Sequence, residues 1–531
     1  MTNPAFNRRS MGKYANWQQF GLEIVKEIRK RCGPDYPIWY RIDLSLALNA
    51  TYGDRMKKNA ILKKFKNERT VAQTLEYMVN LVKAGVDMFD IDLGCYENHW
   101  LPHPPTMLPP GLFLKVAHIA KQYFREHNIQ SNAGLPVPII AVGKLGYPDL
   151  AEQALRDEKC DMVILARPLL ADPDWANKAY LGKCSEICPC IGDQEGCFHE
   201  FIEGGHPQCS LNPRTGYEDI YPAELSPTAT PKSVLVIGAG PAGIECACTA
   251  AQRGHTVTLV DKNDRVGGML LTGSVPKAKI DLVNYLNYLD QKVKRHQAKY
   301  GLKIQLKTGA TLDYLKKEKF DAIIFCTGSE SVKPPIPTDA DATVLQATDF
   351  LQNPKKAEKA QTVTIIGGGI VGCEVAHMLA TEQNKHVTVV EMLPDMMHHA
   401  FNANRGCLIH YLEKANVKLL NCAKVTKITK DRVFIEHNVS PTVPDPYNTW
   451  SPILPENVEN PFAKPIKEKL ANLEILSDLV ILAVGMKPNN ALYNEAMKAN
   501  LPCKLYNIGD SFEVNKVLDA VKAGYLVGKS L

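Results

Sequence analysis

The chain has 531 residues, a formal net charge of +5 and 15 cysteines. That length bounds about three domains, each able to bury its own core, and the small charge, with no basic block interleaved with aromatics, excludes a nucleic-acid binder. No apolar run is long enough to span a bilayer and Met1 to Arg9 lacks the apolar core of a secretory signal, so the expected compartment is the cytoplasm, with thiols reduced for metal ligation and not paired in disulfides.

Residues 1–182 alternate helical and strand patterns. A helix near Trp17–Cys32 leads to a strand at Pro37–Ile42, and helix Glu68–Ala84 leads to strand Met88–Leu93. Helix Pro110–His127 leads to Pro138–Gly143, and helix Leu150–Glu158 to Asp161–Pro168. Near-continuous apolar strands alternating with helices predict a parallel sheet buried on both faces. Four βα units are half of the number that closes a (β/α)₈ barrel. Three strand ends carry chemistry: Arg41, Gly143-Lys144 and Ala166-Arg167-Pro168. A glycine permits close backbone approach, and a lysine and a guanidinium fork beside it suit a phosphate. The alternative for Lys144 and Arg167 is solvated surface charge.

Tyr40-Arg41, Asp92-Leu-Gly94-Cys95-Tyr96, Pro102-His103-Pro104-Pro105, Ala141-Val-Gly143-Lys144 and Ala166-Arg167-Pro168 resemble the C-terminal half of the barrel in 2-enoate reductases. These belong to the old-yellow-enzyme group, with 2,4-dienoyl-CoA reductase and trimethylamine dehydrogenase, and the resemblance continues through the rest of the chain. It implies that Arg41 faces a flavin pyrimidine, that Gly143, Lys144 and Arg167 hold an FMN phosphate, and that Tyr96 and His103 line the substrate face as candidate catalytic residues. Asn7-Arg8-Arg9 is similar to the family's sequence just after its fourth strand. The resemblance therefore implies a barrel lacking its first four strands and the proton-donating tyrosine they carry. Such a half barrel leaves sheet edges and apolar faces uncovered. The expectation is a second chain or a second copy that completes it, a refolded arrangement, or a truncated gene product.

A cysteine-dense segment, expected with its linker at 183–230, follows: Cys184, Cys188, Cys190, Cys197 and Cys209. The family pattern Cys-x₂-Cys-x₃-Cys-x₁₁-Cys binds a [4Fe–4S] cluster, and Cys190, Cys197 and Cys209 match it, with Asp193 at the second position. A carboxylate is a harder donor than a thiolate and binds cluster iron less tightly. Three outcomes stay open: Asp193 ligates, Cys188 or Cys184 replaces it, or the site holds a three-iron cluster or none.

After a proline-rich linker at Tyr221–Pro231, strand Ser233–Ile237 enters Gly238-Ala-Gly240-Pro-Ala-Gly243. Gly238 permits the tight turn, Gly240 lets a pyrophosphate touch backbone, and Gly243 packs helix on strand. Asp261 closes the next strand, and Gly267-Gly268 follows. Asn507-Ile-Gly509-Asp510 resembles the segment whose aspartate holds the flavin ribityl chain. Together they predict FAD. A second turn, Gly367-Gly-Gly369-Ile-Val-Gly372, is followed by strand Val387–Val390 and Glu391, a carboxylate placed to bond a ribose 2′-hydroxyl and repel a 2′-phosphate, so NADH is expected over NADPH. Cys326-Thr-Gly328 and Ala483-Val-Gly485 resemble the two crossover segments of this fold. The expected layout is an FAD-binding domain at 231–350 and 476–531 with an NAD-binding domain at 351–475 inserted. Ser440–Pro465 is proline-rich and aperiodic and reads as a long surface loop.

The resemblance implies an oxidoreductase passing electrons from NADH to FAD, then through the cluster to FMN, and on to an activated C=C bond of a small-molecule enoate or enoyl-CoA. The cofactors do this chemistry while the protein aligns and tunes them. Two rivals stand beside it: a diaphorase subunit that delivers electrons to another acceptor, and a non-catalytic partner. The two intact glycine turns weigh against the second, and with Glu391 they disfavour an amine dehydrogenase.

Overall fold

The computed structural model describes the chain except residues 1–2, 5–6, 54, 59–61, 399, 450–457, 459–460 and 462. Two compact units are present, Met1–Ala166 and Arg167–Leu531, so the sequence boundary at residue 182 falls inside the second.

The first unit is built on four parallel strands in chain order: Trp39–Asp43, Met88–Asp92, Ile139–Ala141 and Met162–Val163. Helices Val71–Ala84, Leu114–Glu126 and Pro148–Arg156 connect them. The first of these starts at Thr70, whose hydroxyl accepts from the Gln73 amide while the Gln73 side chain accepts from the Thr70 amide. This reciprocal cap explains why the helix begins after Glu68. Phe89, Ile91, Ile139 and Ala141 pack against Tyr77, Met78 and Leu81. The opposite face departs from expectation. Arg41 pairs in register with Asp90, and Asp43 with Asp92, so the first two strands alternate apolar and charged residues and only one face is apolar.

In the second unit, Lys504–Asn507, Ala322–Phe325, Ser233–Ile237, Thr256–Val260 and Lys303–Gln305 form one parallel sheet in that spatial order. A second parallel sheet runs Val344–Gln346, Leu479–Leu482, Thr362–Ile366, His386–Val390, Lys418–Leu420. Beside it lies an antiparallel sheet of Ala423–Ile428, Arg432–Asn438 and Leu470–Leu476. This corrects the boundaries 351–475, because the inserted sheet includes strands on both sides of them. A short apolar run belongs to whichever sheet its amides bond, and its sequence does not say which. Ser329–Ser331 and Met486–Pro488, just past Gly328 and Gly485, form an antiparallel ribbon. No strand occurs among the described residues of Ser440–Pro465. The loop's start is pinned where the Tyr447 hydroxyl donates to the Val417 carbonyl at 2.8 Å. No described helix is long and apolar enough to cross a membrane.

Candidate functional site

The first glycine turn has no room for side chains where the chain closes on itself. Gly238 has φ +107°, and a Cβ there would lie 2.1 Å from the Cys326 carbonyl oxygen. A Cβ on Gly243 would lie 1.8 Å from the Gly238 oxygen. Gly240 is different: its Cβ position meets only the Gly268 Cα, at 3.9 Å. That opening sits at the start of helix Pro241–Gln252, whose first amides lack intrahelical partners and suit an anion. Gly240, Asp261, Gly268, Cys326, Asp510 and Lys516 line one cavity of about 940 Å³, at the upper end of the usual range for ligand sites. Asp261 is buried, accepting from the Ala239 amide at 2.6 Å and the Asn263 amide at 2.8 Å. At the other end, Asp510 accepts from the Ser329 hydroxyl at 3.1 Å, and burial pushes its carboxyl above the ordinary range. Bare glycine faces, a strand-end acid and a distal acid in one cavity fit FAD.

The second turn repeats the design. Gly367 has φ +107° and would place a Cβ 2.3 Å from the Ala483 oxygen, while a Cβ on Gly372 would lie 2.0 Å from the Gly367 oxygen. Nothing lies within 4 Å of the Cβ position of Gly369. Glu391 accepts from the Gly368 amide at 2.6 Å and the Leu393 amide at 2.8 Å. Gly368 is a requirement that sequence reading missed: a Cβ there would stand 2.8 Å from the Glu391 Cβ. The signal was the unbroken run of three glycines. Also missed was the ion pair of Lys279 with Glu374, which joins the helix after the first module's turn region to the helix after the second glycine turn. Nearby, the Lys277 amide donates to Glu382 at 2.9 Å.

The sequence model of the family described as "Pyridine nucleotide-disulphide oxidoreductase" matches residues 232–516. Across 533 residues the chain is 30% identical to the cinnamate reductase of Clostridium sporogenes, covering 99% of this chain and 71% of that protein. It belongs to the pyridine nucleotide-disulphide oxidoreductases, as an enoate-reductase-type flavin oxidoreductase. The NADH oxidase of Thermoanaerobacter brockii is 29% identical over 99% of this chain and 72% of its own length. A 2-naphthoyl-CoA reductase structure, in complex with 2-naphthoyl-CoA, superposes with a TM-score of 0.79 at 27% identity, covering 100% of this chain and 71% of that one. This flavin oxidoreductase thus binds FAD and NAD(H) in the two modules. Despite the family's name, Cys246, Cys248 and Cys373 are buried, unbridged thiols within helices, in keeping with packing roles.

The cysteine segment of this enoate-reductase-type chain carries its expected residues in one place. Cys184, Cys188, Cys190, Cys197 and Cys209 are unbridged. Burial raises the thiols of Cys188, Cys190, Cys197 and Cys209, that of Cys197 to about 12, and pushes the Asp193 carboxyl up to about 6. Arg167, expected at an FMN phosphate, begins helix Arg167–Ala171 and lies close enough to Cys190, Cys197 and Asp193 for its charge to favour their ionised forms. Among the described residues, however, no three His, Cys, Asp or Glu side chains converge as a metal-binding group. A [4Fe–4S] cluster takes each ligand on a different iron, so its ligands surround it without converging on one ion position, and here Cys197 lies close enough to Cys190 and Asp193, and Cys209 to Cys188 and Cys190, for their charges to interact.

In the first unit Arg41 is half exposed and bound within its own sheet, with Nε 3.1 Å from Asp92 and Nη1 3.4 Å from Asp90. Burial lifts the Asp90 carboxyl to about 6, against the pull of Arg41. Sequence reading missed Asp90 as a partner, although the period-2 register of two strands could have found it. Lys144 donates to the carbonyls of Pro105, Thr106 and Leu108 at 3.2, 3.2 and 2.6 Å. An ammonium has three protons, so the arrangement ties Lys144 to this loop and differs from the expected phosphate contact. Gly143, with φ +102°, lies so close to Phe113 that a Cβ would meet its ring at 2.6 Å. Tyr96 is exposed, and the rings of Tyr96, His99 and His103 run in series, with centroids 5.4 and 4.4 Å apart. His99, unremarked in the sequence, is the buried link, and burial lowers its imidazole to about 4.

Proposed function

We propose that this flavin oxidoreductase uses NADH to reduce an activated C=C bond of an enoate or enoyl-CoA. The observation that carries the proposal is the pair of equivalent glycine-and-acid cradles in one compact unit, joined by the Lys279–Glu374 ion pair. Whole-chain likeness to a cinnamate reductase and a 2-naphthoyl-CoA reductase supports the substrate class. Bound FAD supplies a two-electron acceptor for hydride and a donor of single electrons. The chain's own part is to bind and orient. The open amide ends at Gly240 and Gly369 take the diphosphates, Asp261 and Glu391 stand where ribose hydroxyls arrive, and Asp510 closes the far end of the FAD cavity. In the first unit the Tyr96–His99–His103 series supplies the groups that would meet substrate.

A second reading is favoured by one observation: Lys144 and Arg41 are both engaged inside the first unit. On that reading the chain is a diaphorase, oxidising NADH for an external acceptor. Two measurements separate the readings. Flavin extracted from the purified chain is FAD with FMN for the ene-reductase, FAD alone for the diaphorase. Anaerobic NADH oxidation with cinnamate as acceptor supports the first, and oxidation with ferricyanide only supports the second. A protein that takes up no FAD and leaves NADH unoxidised with either acceptor overturns both.

A further inference from the structure

Helix Val517–Ser530 stands between the FAD cavity and the cysteine segment, and one lysine at its start touches both. Lys516 lines the same cavity as Asp510, and its amide donates to Asp519 at 3.2 Å. Its ammonium lies 2.7 Å from Glu195 Oε2 and 3.4 Å from His199 Nδ1. Glu195 has a side chain only 9% exposed and lies between Asp193 and Cys197. The same Oε2 is 2.8 Å from His199 Nδ1. A second lysine of the helix repeats the bridge, with Lys522 donating to Gln208, next to Cys209, at 3.0 Å.

The helix is fixed on its other side by the FAD cradle itself. A Cβ on Gly524 would lie 2.3 Å from the Ala242 oxygen, and one on Gly528 would lie 2.7 Å from the Cys246 oxygen. Two helices at backbone contact cannot slide without unpacking. Lys516 is therefore held at a set place on the cavity rim, and the buried carboxylate of Glu195 is its counter-charge. A cation near a flavin stabilises the negative charge that reduction adds, and a paired cation does so less.

We infer that Glu195 is a positioning residue that holds and partly neutralises Lys516 at the rim of the FAD cavity, so that the cysteine segment sets the reduction potential of bound FAD. This rests on FAD occupying that cavity. Removing the carboxylate leaves the Lys516 charge unbalanced, and reduced flavin then binds better relative to oxidised flavin.

The test is a spectroelectrochemical titration of the full chain reconstituted with FAD. Glu195→Gln is expected to raise the reduced-to-oxidised affinity ratio about tenfold, which is about 30 mV for a two-electron couple. Lys516→Met is expected to lower the potential, and the double variant to match Lys516→Met alone, since Glu195 acts through the lysine. Equal potentials for wild type and Glu195→Gln, or additive shifts in the double variant, overturn the inference. Should Glu195→Gln fail to fold, Lys516→Arg against Lys516→Met carries the test: a potential kept by arginine and lowered by methionine supports it, and equal potentials overturn it. A chain that takes up no FAD at all, by fluorescence titration, instead defeats the cavity assignment on which the inference stands.

Discussion

The amide of Gly368 donates to the Glu391 carboxylate at 2.6 Å, and the amide of Ala239 donates to Asp261 at the same distance. In each module the acid at the end of the second strand ties down the turn that follows the first strand. The acid therefore fixes the glycine turn from behind, and in the proposed function it also presents its remaining lone pairs to the ribose. Changing it should affect backbone order as well as cofactor choice.

For Glu391→Ala we expect NADH preference over NADPH to relax, because the charge that repels a 2′-phosphate is gone. Stability should also fall by about 1 kcal/mol, from the amide bonds of Gly368 and Leu393 left without their acceptor. Steady-state kinetics with both nucleotides and a urea melt measure the two effects. An unchanged preference would remove Glu391 from the ribose site.

The glycines of one turn should separate into two kinds. Gly240→Val adds a side chain in open space, so the apoprotein should keep its stability within about 0.5 kcal/mol while FAD affinity falls more than about a hundredfold. Gly243→Ala forces a Cβ into the Gly238 oxygen and should destabilise the fold by about 1–3 kcal/mol or more. Thermal melts of the apoproteins and FAD fluorescence titrations distinguish them.

The Lys279–Glu374 pair joins the FAD and NAD modules with both side chains largely buried. Glu374→Gln should cost about 3 kcal/mol by leaving the ammonium without its counter-charge. The Lys279→Met/Glu374→Leu double variant should recover much of that in a urea melt. Yet its NADH oxidation should stay impaired if the pair also aligns the modules.

Lys144→Met distinguishes a structural lysine from a phosphate ligand. With three loop carbonyls losing their donor, the melt of the chain should shift downward while flavin content stays as in wild type. Loss of FMN in the variant, from a protein that otherwise carries it, would restore the phosphate role.

The buried His99 gives a pH signature. Its folded imidazole is lowered to about 4 while the unfolded one titrates near 6.5, so between those values the unfolded chain binds more protons. Stability from this residue is complete above pH 6.5 and is lost as pH falls toward 4, by about 3 kcal/mol in all. Asp43 and Asp90, each raised to about 6 by burial, work in the opposite direction. The quantity to follow is therefore the stability of wild type minus that of His99→Asn, by urea melts from pH 4 to 7.5, which should rise with pH.

Both glycine turns, the acids closing the strands after them and the thiol-rich segment before them were legible in the sequence. Each depends on a local constraint: a left-handed backbone, a close approach or a strand end, all within some twenty-five residues. The tertiary structure alone decided that Val344–Gln346 and Leu479–Leu482 complete the inserted sheet. It also decided that Lys144 turns to a loop, that Arg41 pairs with Asp90 and Asp92, and that Glu195 meets Lys516 across the chain. A charged side chain is long and its partner is chosen by whichever opposite charge or carbonyl the packed fold brings near, often hundreds of residues away. Spacing along the chain carries no record of that choice, whereas the conformation of a tight turn is written into the few residues that make it.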